Sequence, residues 1–313
     1  MPDIVVTEFI DAGVLDVLHA DYKVHHDSTL WTKPEELQGL AADAIGLIVR
    51  NRTEVNAALL AAAPKLKVVG RLGVGLDNID MPACKARDVI VCPAVGANAV
   101  SVAEYVIASA LVLPRGAMFF SSHRLAAGEW AREDLIRGRE NDGKRFGIIG
   151  FGSIGQIVGD KARALGMEIV AYDSHIPADS PVWQKAERLS LDELLATADI
   201  ITLHCPLTPE TRGLIGSRQL ARMKKGAVHI NTARGGIVDE PALAEALRSG
   251  HLAGAAVDVF AAEPIDKATA DVFRGVPNVI LTPHVAGVTL EANMRVSAMT
   301  VENVRRELKA LGL

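Results

Sequence analysis

The sequence predicts an α/β protein of two units, each a parallel β-sheet wound on both faces by helices. Three observations predict it. Short apolar runs alternate along the chain with segments whose apolar residues recur at helical spacing, the pattern of doubly wound parallel sheets. At 313 residues the chain is longer than one hydrophobic core usually serves, so two domains are expected. A glycine-rich turn at Gly150, Gly152 and Gly155 falls mid-chain, so a complete unit precedes it.

The elements follow in order. Residues 4–7 read as a first buried strand, 12–18 as a helical segment, 23–25 and 45–49 as further strands. Residues 56–63 are helical and closed by Pro64; strands at 66–70 and 89–92 complete the unit. It carries no glycine fingerprint, so residues 1–100 are expected to be a flavodoxin-like substrate domain. Ser101-Val102-Ala103-Glu104 has the S-x-x-E pattern of a capping box and is expected to open an apolar helix through Val112 that joins the domains. Residues 125–143 are charge-rich and read as a surface excursion. Residues 101–287 form the second unit, with strands at 147–149, 169–172, 200–203, 227–231, 255–258 and 279–281. Ser190 heads another capping box, and Asp239 with Pro241 opens a further helix. Residues 291–311 are one long amphipathic helix, and the segment 288–313 is expected to pack back on the first domain.

The glycine turn is preceded by the apolar run 146–149 and followed by a helix that Gly166 stops; Asp173 stands at the end of the next strand. Strand, G-x-G-x-x-G, helix and a following acid make a dinucleotide fingerprint, and the unit a Rossmann domain. Gly150 serves the tight turn, Gly152 the approach of the backbone to a pyrophosphate, and Gly155 close helix packing. The helix N-terminus offers free N–H groups and partial positive charge to that pyrophosphate. Asp173 is expected to accept from the adenosine ribose hydroxyls and to repel the extra phosphate of NADP.

Composition narrows the classes. Hydrophobic residues are 49% and charged residues 23%, enough apolar content for large cores. A net charge of −5 and a pI near 6.0 lack the basic field that nucleic acid requires. The N-terminus lacks signal-peptide patterning, and no uninterrupted apolar run reaches membrane-spanning length. Cys84, Cys92 and Cys205 have no metal or disulfide spacing, which suits a reducing cytoplasm. No metal site is expected; the pair His25-His26 lacks a third ligand.

Several motifs occur in order: IVRNRTEV from Ile48, RLGVGLDNID from Arg71, GANAVSVAEYVIA from Gly96, the fingerprint, HCPLTPET from His204, NTARGGIVDE from Asn231, DVFAAEP from Asp258 and TPHVAG from Thr282. By them the chain resembles the NAD-dependent D-2-hydroxyacid dehydrogenases along essentially its whole length, most nearly phosphoglycerate dehydrogenase-like members without the regulatory domain. The resemblance implies a catalytic set. Arg234 would anchor the substrate carboxylate with its planar fork. His284 would carry the proton to and from the reacting oxygen, and Glu263 would orient it. It also implies NAD contacts from Ser153, Ile154, His204, Cys205, Pro206, Thr211, Thr232, Ala233, Arg234, His284, Ala286, Gly287 and Val102, with Asp258 on the nicotinamide carboxamide. Cys205 is taken as a pocket-lining residue, not a nucleophile.

Val74 and Gly75, in a loop that begins at Gly73, are expected to offer backbone N–H groups to the substrate carboxylate, with a tight turn that holds no ligand as the plainer alternative. Arg50 is read as a second substrate-side cation, with a helix-flanking charge as the plainer alternative. The substrate is a small 2-hydroxy acid, R-type at carbon 2 by family habit. A second anionic group, of the 3-phosphoglycerate or 3-sulfolactate type, stays open; Arg50, Arg132, Arg137 and Arg139 motivate it. A homodimer is expected through the Ser101 helix and the excursion with Trp130. The alternative reading is an NAD-sensing binding protein like the C-terminal-binding corepressors, which share the fold and the triad.

Overall fold

The computed structural model describes residues 1–313, which divide into two compact units: Met1–Asn98 with Val288–Leu313, and Ala99–Gly287.

The first unit holds five parallel strands: β1 (Ile4–Val6), β2 (Val24–His26), β3 (Gly46–Val49), β4 (Val68–Arg71) and β5 (Ile90–Pro93). Their order is β2-β1-β3-β4-β5. Alternate residues face opposite ways, so each strand feeds two cores. Val5, Leu47, Val49 and Val69 pack with Leu37, Leu59 and Leu60 of the helices on one face. Ile4, Ile48 and Val68 pack with Val296, Val301, Val304 and Leu308 of the C-terminal helix Leu290–Ala310 on the other. Each such side chain contributes about 1.5–3 kcal/mol on burial. Thr289 caps that helix by accepting from Ala292 N–H at 3.0 Å. A Cβ on Gly70 would lie 2.5 Å from Val304 and 2.8 Å from Thr300, so glycine there lets the helix lie against β4.

The second unit holds seven parallel strands: β6 (Arg145–Ile149), β7 (Glu168–Tyr172), β8 (Glu187–Arg188), β9 (Ile200–Leu203), β10 (Val228–Asn231), β11 (Gly254–Val257) and β12 (Val279–Leu281). Their order is β12-β11-β10-β9-β6-β7-β8. The order reverses between β6 and β9, which opens a crevice at the carboxyl ends of those two strands, where such sheets bind ligands. The two-residue edge strand β8 is absent from the sequence reading, because two exposed charged residues carry no apolar signal.

The helix Leu191–Thr197 has its full capping box at Ser190 and Glu193, and Asp239 caps Glu240–Arg248. The expected box at Ser101 is corrected. That helix runs Ala99–Val112, so Ser101 lies inside it and is buried. A local cap motif cannot compete with an apolar stretch whose Val102, Ala103, Val106 and Ala110 all enter the core.

One stretch, Ala99–Ala126, is long and apolar enough to span a membrane by length and composition. It is interrupted at Gly116, where φ is 63°, and its first part is packed into the second unit's core.

Candidate active site

The fingerprint turn folds as its glycines require. Gly150 has φ 90°, and a Cβ there would lie 2.7 Å from the His204 backbone. A Cβ on Gly155 would lie 2.4 Å from Gly150 O, so the helix Ser153–Ala164 can press on the strand end only through glycine. Gly152 has nothing within 4 Å of its would-be Cβ, and it caps the helix without a side-chain bond. The first N–H groups of that helix, including those of Ser153 and Ile154, therefore face outward uncapped. Thr232 adds a buried hydroxyl oxygen with no partner. An open glycine face, uncapped helix amides and an orphan hydroxyl at the carboxyl edge of the sheet fit a bound dinucleotide.

Asp173 stands at the end of β7. Its Oδ2 accepts from Phe151 N–H at 2.8 Å, and its Oδ1 accepts from His175 and Ile176 N–H at 2.9 and 3.3 Å. It thus ties the glycine turn to its own loop, and a carboxylate with about four acceptor sites retains one for a ribose. His204 follows β9. Burial drives its imidazole to about 3, so it is neutral, and its Nε2 lies 3.1 Å from Thr202 Oγ1. Burial pushes the Cys205 thiol up, which keeps it protonated and weak as a nucleophile. Thr211 serves its own turn, donating to Pro206 O and accepting from Thr208 N–H, each at 2.7 Å. Val102 is buried among core side chains, which leaves it little surface for a ligand.

Three strand ends bring the expected catalytic residues together. After β10, Asn231 accepts from Ala233 N–H at 3.0 Å and donates to Arg234 O at 3.2 Å. Arg234 Nη1 donates to Ala233 O at 2.7 Å. A Cβ on Gly235 would lie 1.8 Å from Phe260 O, so this loop meets the next one by glycine alone. After β11, Phe260 N–H donates to Glu263 Oε1 at 2.9 Å. After β12, His284 Nδ1 lies 2.7 Å from Glu263 Oε2. Burial pushes the Glu263 carboxyl up, but the bonds from His284 and Phe260 and the charge of Arg234 outweigh it, so it is held below the usual carboxylate range. An ionised carboxylate accepts only, which makes Nδ1 the donor and leaves the other ring nitrogen, Nε2, for chemistry.

Asp258 is 1% exposed, and its carboxylate is largely spent within the protein. Oδ1 accepts from Thr282 Oγ1 at 2.6 Å and Val285 N–H at 2.9 Å; Oδ2 accepts from Ala286 N–H at 2.9 Å. One acceptor site remains for a carboxamide. The main task of Asp258 is the turn that carries His284, a role no spacing announced. Glu240 was also missed as a site neighbour: buried beside Glu263, it accepts from Ala261 N–H at 2.6 Å, and burial together with the Glu263 charge raises its carboxyl.

In the first unit, Arg50 follows β3. Its Nη2 donates to Asn293 Oδ1 at 2.9 Å, and its guanidinium lies 5.8 Å from the Phe9 ring centre. Burial lowers its pKa, against the pull of Glu8. Val74 and Gly75 follow β4 in a loop with Gly73 at φ 145°; Val74 is exposed. Glu8, which the sequence did not single out, takes the backbone N–H groups of residues 50–53.

Comparison with known proteins adds four findings. Residues 107–286 match the NAD binding domain of the D-isomer specific 2-hydroxyacid dehydrogenases. The chain is 50% identical over 310 residues to an (S)-sulfolactate dehydrogenase of Chromohalobacter salexigens, covering 98% of this chain and 99% of that one. It is 43% identical over 277 residues to a D-3-phosphoglycerate dehydrogenase of Mycobacterium leprae, covering 88% of this chain but 52% of that protein, so it spans about half the length of that relative. A solved D-lactate dehydrogenase from Aquifex aeolicus, in complex with NAD and lactic acid, has a TM-score of 0.85 at 29% identity and covers 98% of this chain and 96% of that one.

Proposed function

This chain belongs to the D-isomer specific 2-hydroxyacid dehydrogenase family, and from that membership we propose that its substrate is a three-carbon 2-hydroxy acid with an anionic group on carbon 3, a sulfonate in preference to a phosphate. The protein is an NAD-dependent oxidoreductase that interconverts a 2-hydroxy acid and its 2-keto acid. The observation that carries the site assignment is the 2.7 Å contact of His284 Nδ1 with Glu263, beside Arg234.

Gly150, Gly152, Ser153, Ile154, Gly155 and Asp173 hold the pyrophosphate and adenosine ribose of NAD, with residues 204–206, Thr232, Ala233, Ala286 and Gly287 lining the rest. When bound, the nicotinamide supplies or accepts the hydride at carbon 2. Arg234 grips the substrate carboxylate in bidentate fashion and orients carbon 2. In reduction, protonated His284 gives its Nε2 proton to the keto oxygen; in oxidation, neutral Nε2 takes the proton of the hydroxyl. Glu263 holds the ring through Nδ1 and so turns Nε2 toward the substrate. On the five-stranded unit, Val74 and Gly75 offer backbone N–H groups to an anionic group, and Arg50 adds charge.

The substrate assignment draws on the sulfolactate dehydrogenase, which matches this chain over nearly the full length of both. The S descriptor in that relative's name agrees with an R-type family habit. Sulfur on carbon 3 outranks the carboxylate in the naming rule, so (S)-sulfolactate has the same spatial hand as an R-configured lactate. A steady-state panel of sulfopyruvate, 3-phosphohydroxypyruvate, hydroxypyruvate and pyruvate with NADH tests the reading. Sulfopyruvate should give the highest kcat/KM. A higher value for pyruvate would remove the second anionic group from the proposal. Tight NADH binding without any turnover would favour the binding-protein alternative.

The assembly we assign is a cytoplasmic homodimer. Three free cysteines suit a reducing compartment. Leu111, Phe119, Phe120, Leu125, Trp130 and Ile136 are exposed within one short segment, and Trp130 is 81% exposed, an apolar surface suited to an isologous contact. Sedimentation at micromolar concentration tests it; an active monomer would count against it.

A further inference from the structure

His284 is one of three non-glycine residues with positive φ, at 56°. A left-handed backbone there is strained and persists only where the surroundings over-determine it. The surroundings do so through one carboxylate. Thr282, Val285 and Ala286 flank His284 on both sides, and all three donate to Asp258. The His284 N–H itself donates to Asp258 O at 2.7 Å and to Thr282 O at 3.0 Å.

A fourth group extends this set. Tyr105 Oη lies 2.7 Å from Thr282 Oγ1. Thr282 has one hydroxyl proton, and it goes to Asp258 Oδ1 at 2.6 Å. Tyr105 must therefore be the donor. The chain has a fixed direction: Tyr105 O–H to Thr282, Thr282 O–H to Asp258. Hydrogen bonds in series polarise one another and lock each other's rotors. Tyr105 sits on the helix Ala99–Val112, whose Val102, Val106 and Ala110 are anchored in the core. The chain thus ties the turn to a rigid element.

We propose that Tyr105 and Thr282 are positioning residues, which act through Asp258 to hold the His284 turn in its left-handed conformation and so aim the imidazole. Neither touches the reacting atoms, so their loss should appear in kcat. The inference rests on His284 as the proton-transfer group, and the experiment separates the two.

Thr282→Val, Thr282→Ser, Tyr105→Phe and His284→Ala are assayed for kcat and KM, with NADH affinity by fluorescence. One lost hydrogen bond of about 1–1.5 kcal/mol predicts a fall in kcat of roughly 5- to 10-fold in T282V. KM and NADH affinity should stay within about twofold, since no binding contact changes. T282S keeps the hydroxyl and should restore most of kcat. Y105F should lose about 3-fold, and it serves where T282V folds poorly. Full kcat in T282V, or T282S as damaged as T282V, overturns the chain. Loss in H284A beside full kcat in both T282V and Y105F overturns the chain alone. Full kcat in H284A overturns the catalytic reading and the chain with it.

Discussion

Two buried carboxylates arrest loops at the carboxyl edges of the two sheets, one in each unit. Glu8, just past β1, is 3% exposed and accepts from the N–H groups of Arg50, Asn51, Arg52 and Thr53. Asp258, just past β11, accepts from two N–H groups and the Thr282 hydroxyl. The acceptor chemistry is the same, but the loads differ. None of residues 50–53 has positive φ, whereas the Asp258 turn carries His284 at 56°. Glu8 therefore fixes a backbone that would otherwise leave four donors unsatisfied. Asp258 fixes a strained residue whose ring must meet Glu263. The first loop should therefore report in stability and the second in turnover.

The largest effect should come from the residue that the second loop carries. His284→Ala removes proton transfer, so kcat should fall by about 10²–10⁴-fold in both directions, with NADH still bound. Stopped-flow turnover with NADH fluorescence checks this; collapse of NADH binding would make His284 a cofactor residue. Arg234→Lys keeps the charge but loses the fork. We expect a fall of about 10²-fold in kcat/KM for the keto acid with NADH affinity little changed. If both fall together, Arg234 belongs to the cofactor site.

Glu8→Gln should behave in the opposite way. The amide keeps one acceptor oxygen but turns a donor toward the loop's N–H groups, leaving buried donors unpaired. The urea midpoint should drop by the equivalent of about 2–4 kcal/mol. Any catalytic change should appear in KM. A large loss in kcat at unchanged stability would erase the contrast between the two loops.

The effect that is smallest at neutral pH is the titration of buried histidines, and it sets the range in which the other tests are valid. His229 is fully buried on β10 with neither ring nitrogen bonded, and burial holds its imidazole at about 4; His204 is held at about 3. Both lie below the ordinary 6.5, so the unfolded chain binds protons first as pH falls. Stability should therefore decline as pH drops from 6.5 toward 4, with His229 contributing about 1.4 kcal/mol per pH unit. Glu263, held below its ordinary 4.5, adds to the loss only below that value. His229→Leu should flatten the decline and remove two unsatisfied nitrogens. An unchanged slope of Tm against pH in that variant would mean that His229 is not a source.

The sequence alone determined what is local. The glycine turn was legible because each glycine answers a constraint within a few residues: Gly150 a positive φ, Gly155 contact with Gly150 O. The caps at Ser190 and Asp239 were legible for the same reason, since their acceptors and donors lie three residues apart. Eleven of the twelve strands were legible, most of them from apolar runs, while β8 has none. The tertiary structure alone decided what depends on distant partners. Glu8 meets its donors 42 to 45 positions away, and Tyr105 meets Thr282 across 177. Burial moved the start of the Ala99–Val112 helix ahead of its apparent cap. A hydrogen bond leaves a mark in sequence only when both ends lie within one turn or motif. The groups that hold His284 in place come from a separate helix and a neighbouring strand end, so only the folded sheet brings them together.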